Sequence, residues 1–210
     1  MKVIKRVTAL AAALCIAVAV SGCGKEVKNK SDAPTDTAPA ANGGFNPGEG
    51  IINSDFGTLT EFSAQTLNGD TVTQEIFSEN DLTMIYIWKT DCEPCKAEFP
   101  ALVKLSGMLP EGTALIGMCI DGDTNGDEAK KIADEAGLPF DSIIGGATLE
   151  GVKSTPTTMY VDKYGNVVGE PKEGRSYASD DDAAAQEFFI DVSSHLGMAK
   201  SKYQADARKE

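Results

Sequence analysis

The sequence predicts an α/β fold in which a central mixed β-sheet is flanked by helices and preceded by a β-hairpin. Two buried-strand patterns, Thr83–Trp88 and Thr113–Asp121, are each followed by a helical pattern. Further on, a strand–turn–strand segment at Thr157–Gly169 precedes a closing helix at Asp180–Met198. The order is β-hairpin, βαβα and ββα, which is expected to place helices on both faces of one sheet.

The first 22 residues have the composition of an export signal. Lys2, Lys5 and Arg6 precede the mostly apolar run Val7–Val20, which is too short to span a bilayer. The next residues, VSGC ending at Cys23, resemble the lipobox of bacterial lipoproteins, whose cysteine is lipidated and becomes the mature N-terminus. We therefore expect an extracytoplasmic protein anchored to the bacterial cell membrane by a lipid on Cys23. An ordinary signal peptide cut nearby is the alternative.

The charge balance and a low-complexity segment define the remaining domain organisation. The chain carries 19 Lys and Arg against 32 Asp and Glu. Three of the basic residues precede Cys23, so the mature chain keeps 16 and has a net charge of −16. This acidity argues against nucleic acid as a partner. Residues 24–50 are rich in Pro, Gly, Ala, Thr and charge and are expected to be disordered. The predicted parts are a signal peptide (1–22), a lipidated cysteine and tether (23–50), one domain (51–200) and a flexible tail (201–210).

Several elements are expected before the first helix. Thr58–Thr73 alternates on either side of Asn68–Asp70, which is typical of a β-hairpin. Glu75–Glu79 is expected to form a short helical turn, and Thr83–Trp88 to form a buried strand. A helix then begins at Cys92 and ends around Met108.

Two cysteines stand three positions apart at the start of this helix. Cys92 is expected at its first position, with Pro94 in the first turn and Cys95 one turn further. Because helix N-termini stabilise thiolates, Cys92 is predicted to be the attacking thiol and Cys95 the resolving thiol. A purely structural disulfide is an alternative, and so is half of a zinc site, which normally needs four ligands. Beyond this pair, the mature chain offers only three candidate ligands of these types: Cys23, Cys119 and His195.

The segment WKTDCEPCKAEFP resembles the active-site motif of thioredoxin-like, membrane-tethered thiol-disulfide oxidoreductases of the TlpA/ResA type. That motif is W-x-x-W-C-x-P-C-x-x-E-x-P, and the matching residues here are Trp88, Cys92, Pro94, Cys95, Glu98 and Pro100. The resemblance extends over about 115 residues, from Phe56 to Pro171. It implies a thioredoxin-like fold with an N-terminal β-hairpin, and a redox-active Cys92–Cys95 disulfide with no other cofactor.

The resemblance also implies roles for residues around the cysteines. Glu98 is the candidate acceptor for the proton of Cys95, and a carboxyl in apolar surroundings is expected to have a raised pKa. The family's tryptophan immediately before the first cysteine is Asp91 here, which is expected to raise the pKa of Cys92 and change the partner surface. Thioredoxin's buried aspartate is replaced by Tyr86, which excludes proton handling by a carboxylate there. The expected partner contacts near the cysteines are Trp88, Asp91 and Pro94.

Thr155-Pro156-Thr157 resembles the cis-proline loop of the thioredoxin superfamily. The resemblance implies that Pro156 is cis and that Thr155 bonds the substrate backbone. A strand at Thr157–Asp162 should then pair with a second strand at Asn166–Gly169. His195, on the closing helix, is interpreted as a surface or core residue rather than a catalytic one.

The segment between the two signatures contains two ambiguous features. Cys119, in the predicted strand Thr113–Asp121, is interpreted as a core residue, with a third redox cysteine as the alternative. Asp121–Asp127 partly matches a calcium loop but lacks the carboxylate at its twelfth position. Its acids could instead cap the predicted helix Asp127–Ala136. Leu138–Ile144 is expected to be a short strand.

The predicted function is that of a membrane-anchored extracytoplasmic thiol-disulfide oxidoreductase that reduces disulfides of exported proteins. It would draw electrons from a thiol donor in the membrane. A Cu(I)- or apo-cytochrome-handling module is an alternative, since thiolates suit Cu(I), although no Met or His sits beside the cysteines. A thiol peroxidase is a second alternative. Peroxiredoxins need a threonine three residues before the peroxidatic cysteine, and Lys89 occupies that position for Cys92.

Overall fold

A computed structural model of the chain describes residues 62–145, 152–174, 176 and 178–206. These residues all belong to one compact unit that spans positions 40–210. The strands are β1 (Ser63–Gln65), β2 (Thr71–Thr73), β3 (Leu82–Trp88), β4 (Thr113–Cys119), β5 (Ser142–Ile144), β6 (Thr157–Asp162) and β7 (Lys172–Glu173), and the helices are α1 (Glu93–Ser106), α2 (Gly122–Glu135) and α3 (Asp181–Asp206).

The main sheet is mixed and has strand β3 at its centre. Its order is β5-β4-β3-β6-β7, with β4 parallel and β6 antiparallel to β3. All seven residues of β3 are buried, as expected for a strand covered on both faces, and this explains its almost continuous apolar sequence. The register pairs Trp88 with Cys119, so the carboxyl ends of β3 and β4 lie side by side. This edge holds the candidate site.

Two apolar clusters cover the sheet. The larger one joins alternate residues of β3, including Tyr86 and Trp88, to the buried faces of α1 and α3. In α1 these are Phe99, Leu102 and Leu105, which recur at helical spacing. The second cluster contains Ile85 and Ile87 of β3 and includes residues of the β1–β2 hairpin and of a 3₁₀ helix at Gln74–Phe77. The predicted mixed sheet flanked by helices is confirmed.

The hairpin before the sheet is confirmed for the described residues. Strands β1 and β2 are antiparallel, and the turn between them contains Gly69 with a φ of +85°. The hairpin joins the main sheet at its β5 edge, where the Leu67 amide donates to the Ser142 carbonyl at 2.9 Å. The 3₁₀ helix occupies the place of the short helical turn expected at Glu75–Glu79.

The predicted bounds of α2 and of the strand after β6 differ from the structure. Helix α2 begins at Gly122 rather than Asp127, so most of the candidate calcium loop is helical. The expected strand Asn166–Gly169 forms only a bridge between Val161 and Val167, because Gly169 turns the chain with a φ of +74°. The strand that pairs with β6 beyond it is β7.

Helix α3 continues to Asp206, so the prediction of a flexible tail from Ser201 is wrong for its first six residues. The helix is extended because its apolar face continues: Ala199 is fully buried, and Tyr203 packs edge-on against Tyr164. No helix among the described residues is long and apolar enough to cross a bilayer. The predicted signal peptide, Cys23 and tether lie outside the described residues.

Candidate active site

Cys92 and Cys95 form a disulfide at the N-terminus of α1. Cys92 is the N-cap residue rather than the first helical residue, because its φ and ψ of −90° and 93° are extended. The Cys95 amide donates to the Cys92 Sγ at 3.2 Å. Cys92 is 4 % exposed and Cys95 is completely buried, so a partner reaches the sulfur of Cys92 first. Since a thiolate at this N-cap would accept the same N–H bond and face the positive helix end, its formation is favoured.

Asp121 holds the turn that delivers Cys92, a role that the sequence analysis missed. Its carboxylate accepts hydrogen bonds from the Thr90 amide at 3.0 Å and from the Thr90 hydroxyl at 2.5 Å. The Asn125 amide nitrogen donates to it as well. Burial acts to raise the pKa of Asp121, but these hydrogen bonds hold that pKa below its usual range. The signal was its place directly after β4, whose end lies beside the end of β3.

Cys119 lies beside the active-site strand but is not part of the disulfide. Its side chain is completely buried, and its thiol donates to the Asp121 carboxylate at 3.2 Å. Burial, and then the neighbouring Asp121, raise the pKa of Cys119 well above that of an ordinary thiol. A thiol that stays protonated is a poor nucleophile, which favours the interpretation of Cys119 as a core residue.

Glu98 is buried one turn beyond Cys95, with 3 % of its surface exposed. Its Oε2 accepts a hydrogen bond from the Tyr86 hydroxyl at 2.7 Å, and its Oε1 accepts one from the Ser176 amide at 2.6 Å. The same Tyr86 hydroxyl lies 3.3 Å from the Cys95 carbonyl oxygen. Tyr86 therefore contacts both Glu98 and Cys95.

A cavity of about 150 Å³ borders Glu98. Its walls come from Ala97 and Glu98 on α1, from Ser176, and from the start of α3, including Asp180 and Asp181. A space of this size and polarity can hold water. Glu98 is thus buried from bulk solvent but borders a polar cavity.

The loop before β6 carries the second signature. The Thr155–Pro156 peptide bond is cis, as the resemblance implies. The Pro156 carbonyl accepts from the Gly174 amide at 2.9 Å, whereas no hydrogen bond within the described ranges involves the Thr155 backbone. Thr155 borders a cleft of about 340 Å³ that also reaches Lys89, in the turn before Cys92. The cis-proline loop and Lys89 therefore border the same cleft.

The structure separates the three expected partner contacts near the cysteines. Trp88 is completely buried, and its Nε1 donates to the Ser142 hydroxyl at 3.2 Å, so it has no surface to offer a partner. The expectation of a substrate contact at Trp88 is wrong because its strand is covered on both faces. Pro94 and Asp91 are exposed, and Asp91 pairs with Lys89 at 3.0 Å.

His195 and the candidate calcium segment are the two remaining features from the sequence analysis. The His195 ring stacks on the Tyr160 ring where α3 packs against β6, and the two ring centroids are 3.9 Å apart. In the candidate calcium segment, Asp121 bonds to Thr90 and Asn125 as described above. Within the described residues, no group of three or more His, Cys, Asp or Glu is placed to hold a metal ion.

Residues 57–169, more than half of the chain, match the AhpC/TSA family. The chain belongs to the AhpC/TSA family. No curated protein matches the sequence. The family match includes the cysteine pair, Glu98 and the cis-proline loop, so the whole candidate site except Ser176 and α3 falls within the family's own region.

Solved structures with a similar fold include three redox proteins. A thioredoxin-family thiol:disulfide interchange protein from Chlorobium tepidum is 19% identical, with a TM-score of 0.53 over 67% of this chain and 96% of that chain. A DsbF homologue from Corynebacterium diphtheriae is 20% identical, with a TM-score of 0.53 over 64% and 84%. A secreted Mycobacterium tuberculosis disulfide oxidoreductase homologous to E. coli DsbE is 16% identical, with a TM-score of 0.51 over 63% and 95%. This AhpC/TSA-family chain therefore has a thioredoxin-like fold.

Proposed function

We propose that this protein is a membrane-anchored, extracytoplasmic thiol-disulfide oxidoreductase of the TlpA/ResA type that reduces disulfides of exported proteins. The observation that carries the proposal is the Cys92–Cys95 disulfide at the N-terminus of α1. The motif around the cysteines and the fold of the similar redox proteins support it. No cofactor beyond the disulfide is required.

The proposed reaction is two successive thiol-disulfide exchanges. The reduced Cys92 thiolate attacks one sulfur of a partner disulfide, and the partner's other sulfur leaves as a thiolate. Cys95 then loses its proton and attacks the Cys92 sulfur, which breaks the mixed disulfide and releases the second partner sulfur. The partner gains two electrons, and the protein is left with the Cys92–Cys95 disulfide. A thiol donor in the membrane would return it to the dithiol.

We assign Glu98 as the group that takes the Cys95 proton. It is on the same helix, one turn further, and it borders the cavity through which the proton can leave. In the same proposal Thr155 bonds the partner backbone beside Pro156, and Asp91 and Pro94 contact the partner surface. Trp88 is not among the proposed partner contacts, because its side chain is buried.

The decisive experiment is the reduction potential of the Cys92–Cys95 pair, measured by equilibration with a dithiothreitol redox buffer. A value near that of thioredoxin, roughly −270 mV, is expected for a reductant. A value near roughly −120 mV would make the protein an oxidant and reverse the proposed direction. Failure to equilibrate would indicate a structural disulfide and remove the enzymatic proposal.

Two assays separate this function from the alternatives. The reduced protein should reduce insulin disulfides and show no substantial turnover of hydrogen peroxide. Peroxide turnover would favour the peroxidase despite Lys89 at the position of the required threonine. Stoichiometric Cu(I) retention without insulin reduction would favour the copper-handling module.

The membrane anchor is proposed from the lipobox-like residues that end at Cys23. Metabolic labelling with palmitate in a bacterial host should modify the wild-type chain and not Cys23→Ser. If both are unlabelled and the protein is released into the medium, the export signal is an ordinary one and the anchor is wrong.

A further inference from the structure

We propose that Tyr86 is a positioning residue for Glu98 and that its hydroxyl supplies a hydrogen-bond partner in both protonation states of that carboxyl. The inference rests on the proposed function, in which Glu98 takes the proton of Cys95. It goes beyond that function because it assigns a role to a residue where the resemblance supplies no proton carrier.

The geometry determines which oxygen of Glu98 carries the proton. Oε1 accepts from the Ser176 amide at 2.6 Å, and an amide N–H can only donate. Oε1 therefore stays an acceptor whether Glu98 is ionised or neutral. The proton of the neutral acid lies on Oε2, the oxygen that is 2.7 Å from the Tyr86 hydroxyl.

A hydroxyl can both donate and accept, so Tyr86 suits either state. When Glu98 is ionised, the Tyr86 O–H donates to Oε2. When Glu98 is neutral, the Oε2–H group donates to the Tyr86 oxygen, and the Tyr86 O–H turns to the Cys95 carbonyl, 3.3 Å away. The switch keeps these groups hydrogen-bonded in both states, which matters because an unpaired buried polar group is costly.

The relay fits the resolving step with atoms and electrons balanced. The Cys95 thiol gives its proton to Glu98, and the Cys95 thiolate attacks the Cys92 sulfur. The bond from Cys92 to the partner breaks, and its electron pair leaves with the partner sulfur. The proton on Glu98 then passes to the cavity. Tyr86 neither gains nor loses a proton in the cycle; it only turns its O–H.

Among the described residues, the charged side chains that line the cavity beside Glu98 are acidic. Asp180 and Asp181, at the start of α3, line the cavity opposite Glu98, and Glu187 accepts a hydrogen bond from the Ser176 hydroxyl. The Ala183 amide holds the pKa of Asp180 below its usual range, so Asp180 is charged throughout the neutral range. A proton that leaves Glu98 therefore enters a cavity that is lined by carboxylates.

The test uses residues 23–210 with Cys23→Ser, which keeps the whole compact unit and leaves thiols only at Cys92, Cys95 and Cys119. The reduced protein is mixed with an aromatic disulfide that releases coloured thionitrobenzoate. The first release reports attack by Cys92, and the second reports resolution by Cys95. The rates of both are measured as a function of pH by stopped flow.

Tyr86→Phe removes only the hydroxyl and keeps a ring in contact with Phe99 and Phe188. The first release should be unchanged. The second should slow about tenfold near neutral pH, and its midpoint should rise by about one pH unit, because the hydrogen bond lost from the ionised carboxylate is stronger than the one lost from the neutral acid. In a Glu98→Gln background, Tyr86→Phe should have no further effect.

Tyr160→Phe is the matched control. Tyr160 is also buried in the larger cluster, and its hydroxyl makes no hydrogen bond with the described residues. This variant should leave both releases unchanged. If Tyr86→Phe does not fold, Tyr86 is replaced by 3-fluorotyrosine, whose more acidic hydroxyl is a stronger donor. The midpoint of the second release should then move to lower pH, opposite to the phenylalanine variant.

Each outcome decides between the two proposals. An unchanged second release in Tyr86→Phe, or an equal loss with and without Glu98, would overturn the role of Tyr86 and leave the proposed function intact. A midpoint that does not move with 3-fluorotyrosine would overturn it as well. If the unmodified protein releases no thionitrobenzoate, the proposed function fails, and the inference fails with it.

Discussion

The Cys92–Cys95 pair and Cys119 lie at the ends of neighbouring parallel strands, yet their surroundings differ in almost every respect. After Trp88, β3 leads into a turn that places Cys92 at the positive end of α1. There the Cys92 sulfur accepts a hydrogen bond from the Cys95 amide. Cys119, the register partner of Trp88, ends its own strand inside the core. Its thiol donates to the Asp121 carboxylate, which together with burial disfavours its ionisation.

The groups that surround each sulfur determine whether a thiolate is favoured there. A donated N–H and a helix N-terminus favour a thiolate at Cys92, whereas burial and an adjacent carboxylate oppose one at Cys119. Asp121 links the two regions, because the same carboxylate that bonds Cys119 also holds Thr90 in the active-site turn. Four experiments, in order of decreasing expected effect, test this contrast.

Removing the thiol at the helix terminus should have the largest effect. Cys92→Ser replaces the thiolate by a hydroxyl that does not ionise, and insulin reduction should fall by about a thousandfold or more. Cys119→Ala is the comparison variant and should keep near-wild-type activity. Comparable losses in the two variants would show that the proposed division between a reactive and an inert site is wrong.

Removing the second thiol of the pair should stop the reaction half-way. In Cys95→Ser, Cys92 still attacks an aromatic disulfide, but nothing resolves the mixed disulfide. One thionitrobenzoate should be released instead of two, and mass spectrometry should find the other attached to Cys92. Release of two would mean that another thiol can reach Cys92. Among the described residues, Cys119 is the free cysteine.

Weakening the link between the two regions should have a moderate effect on stability. Asp121→Asn loses charged hydrogen bonds to Thr90 and Cys119 and should lower the free energy of unfolding by about 1 kcal/mol, measured with urea at neutral pH. Because the pKa of Asp121 is lower in the folded state, this stabilisation is present above about pH 4 and is lost as pH falls through the folded pKa. The difference between variant and wild type should therefore shrink in acid.

Asp123→Asn controls for the loss of one negative charge in the same segment. Asp123 is exposed, so its replacement should change the free energy of unfolding little at any pH. Equal destabilisation by both substitutions would mean that net charge, and not the contact between Asp121 and Thr90, is responsible.

The smallest effect is expected from probing Cys119 itself. In the folded, oxidised protein it should resist alkylation by iodoacetamide at pH 8, because the sulfur is buried and its pKa is raised. It should react rapidly once the protein is unfolded in urea. Rapid alkylation of the folded protein would revive the interpretation of Cys119 as a third redox cysteine.

Local chemistry was the part of the site that could be predicted from sequence. The spacing of Cys92 and Cys95, with Pro94 between them, depends only on helix geometry within one turn. The cis bond at Pro156 came from a resemblance, and the structure contains it. The strand–helix order also followed from periodicity, because buried strands and amphipathic helices repeat differently along a chain.

Contacts between distant segments could not be predicted in this way. Trp88 was assigned to the partner surface, but the covering of both sheet faces buries it. The sequence alone is compatible with Asp121 as a helix cap or as a calcium ligand. Its position beside Thr90 depends on the pairing of β4 with β3. Helix α3 extends beyond its predicted end because Ala199 and Tyr203 have packing partners elsewhere in the chain.

Local patterns in the sequence were enough to indicate the fold class, a cysteine pair at the start of a helix and a glutamate one turn beyond it. The groups that surround these residues became known from the packing of the folded chain. Twelve residues separate Tyr86 from Glu98, and 78 separate Glu98 from Ser176, yet all three meet around one carboxylate. Such contacts depend on how strands and helices pack, which the local pattern of a sequence does not encode.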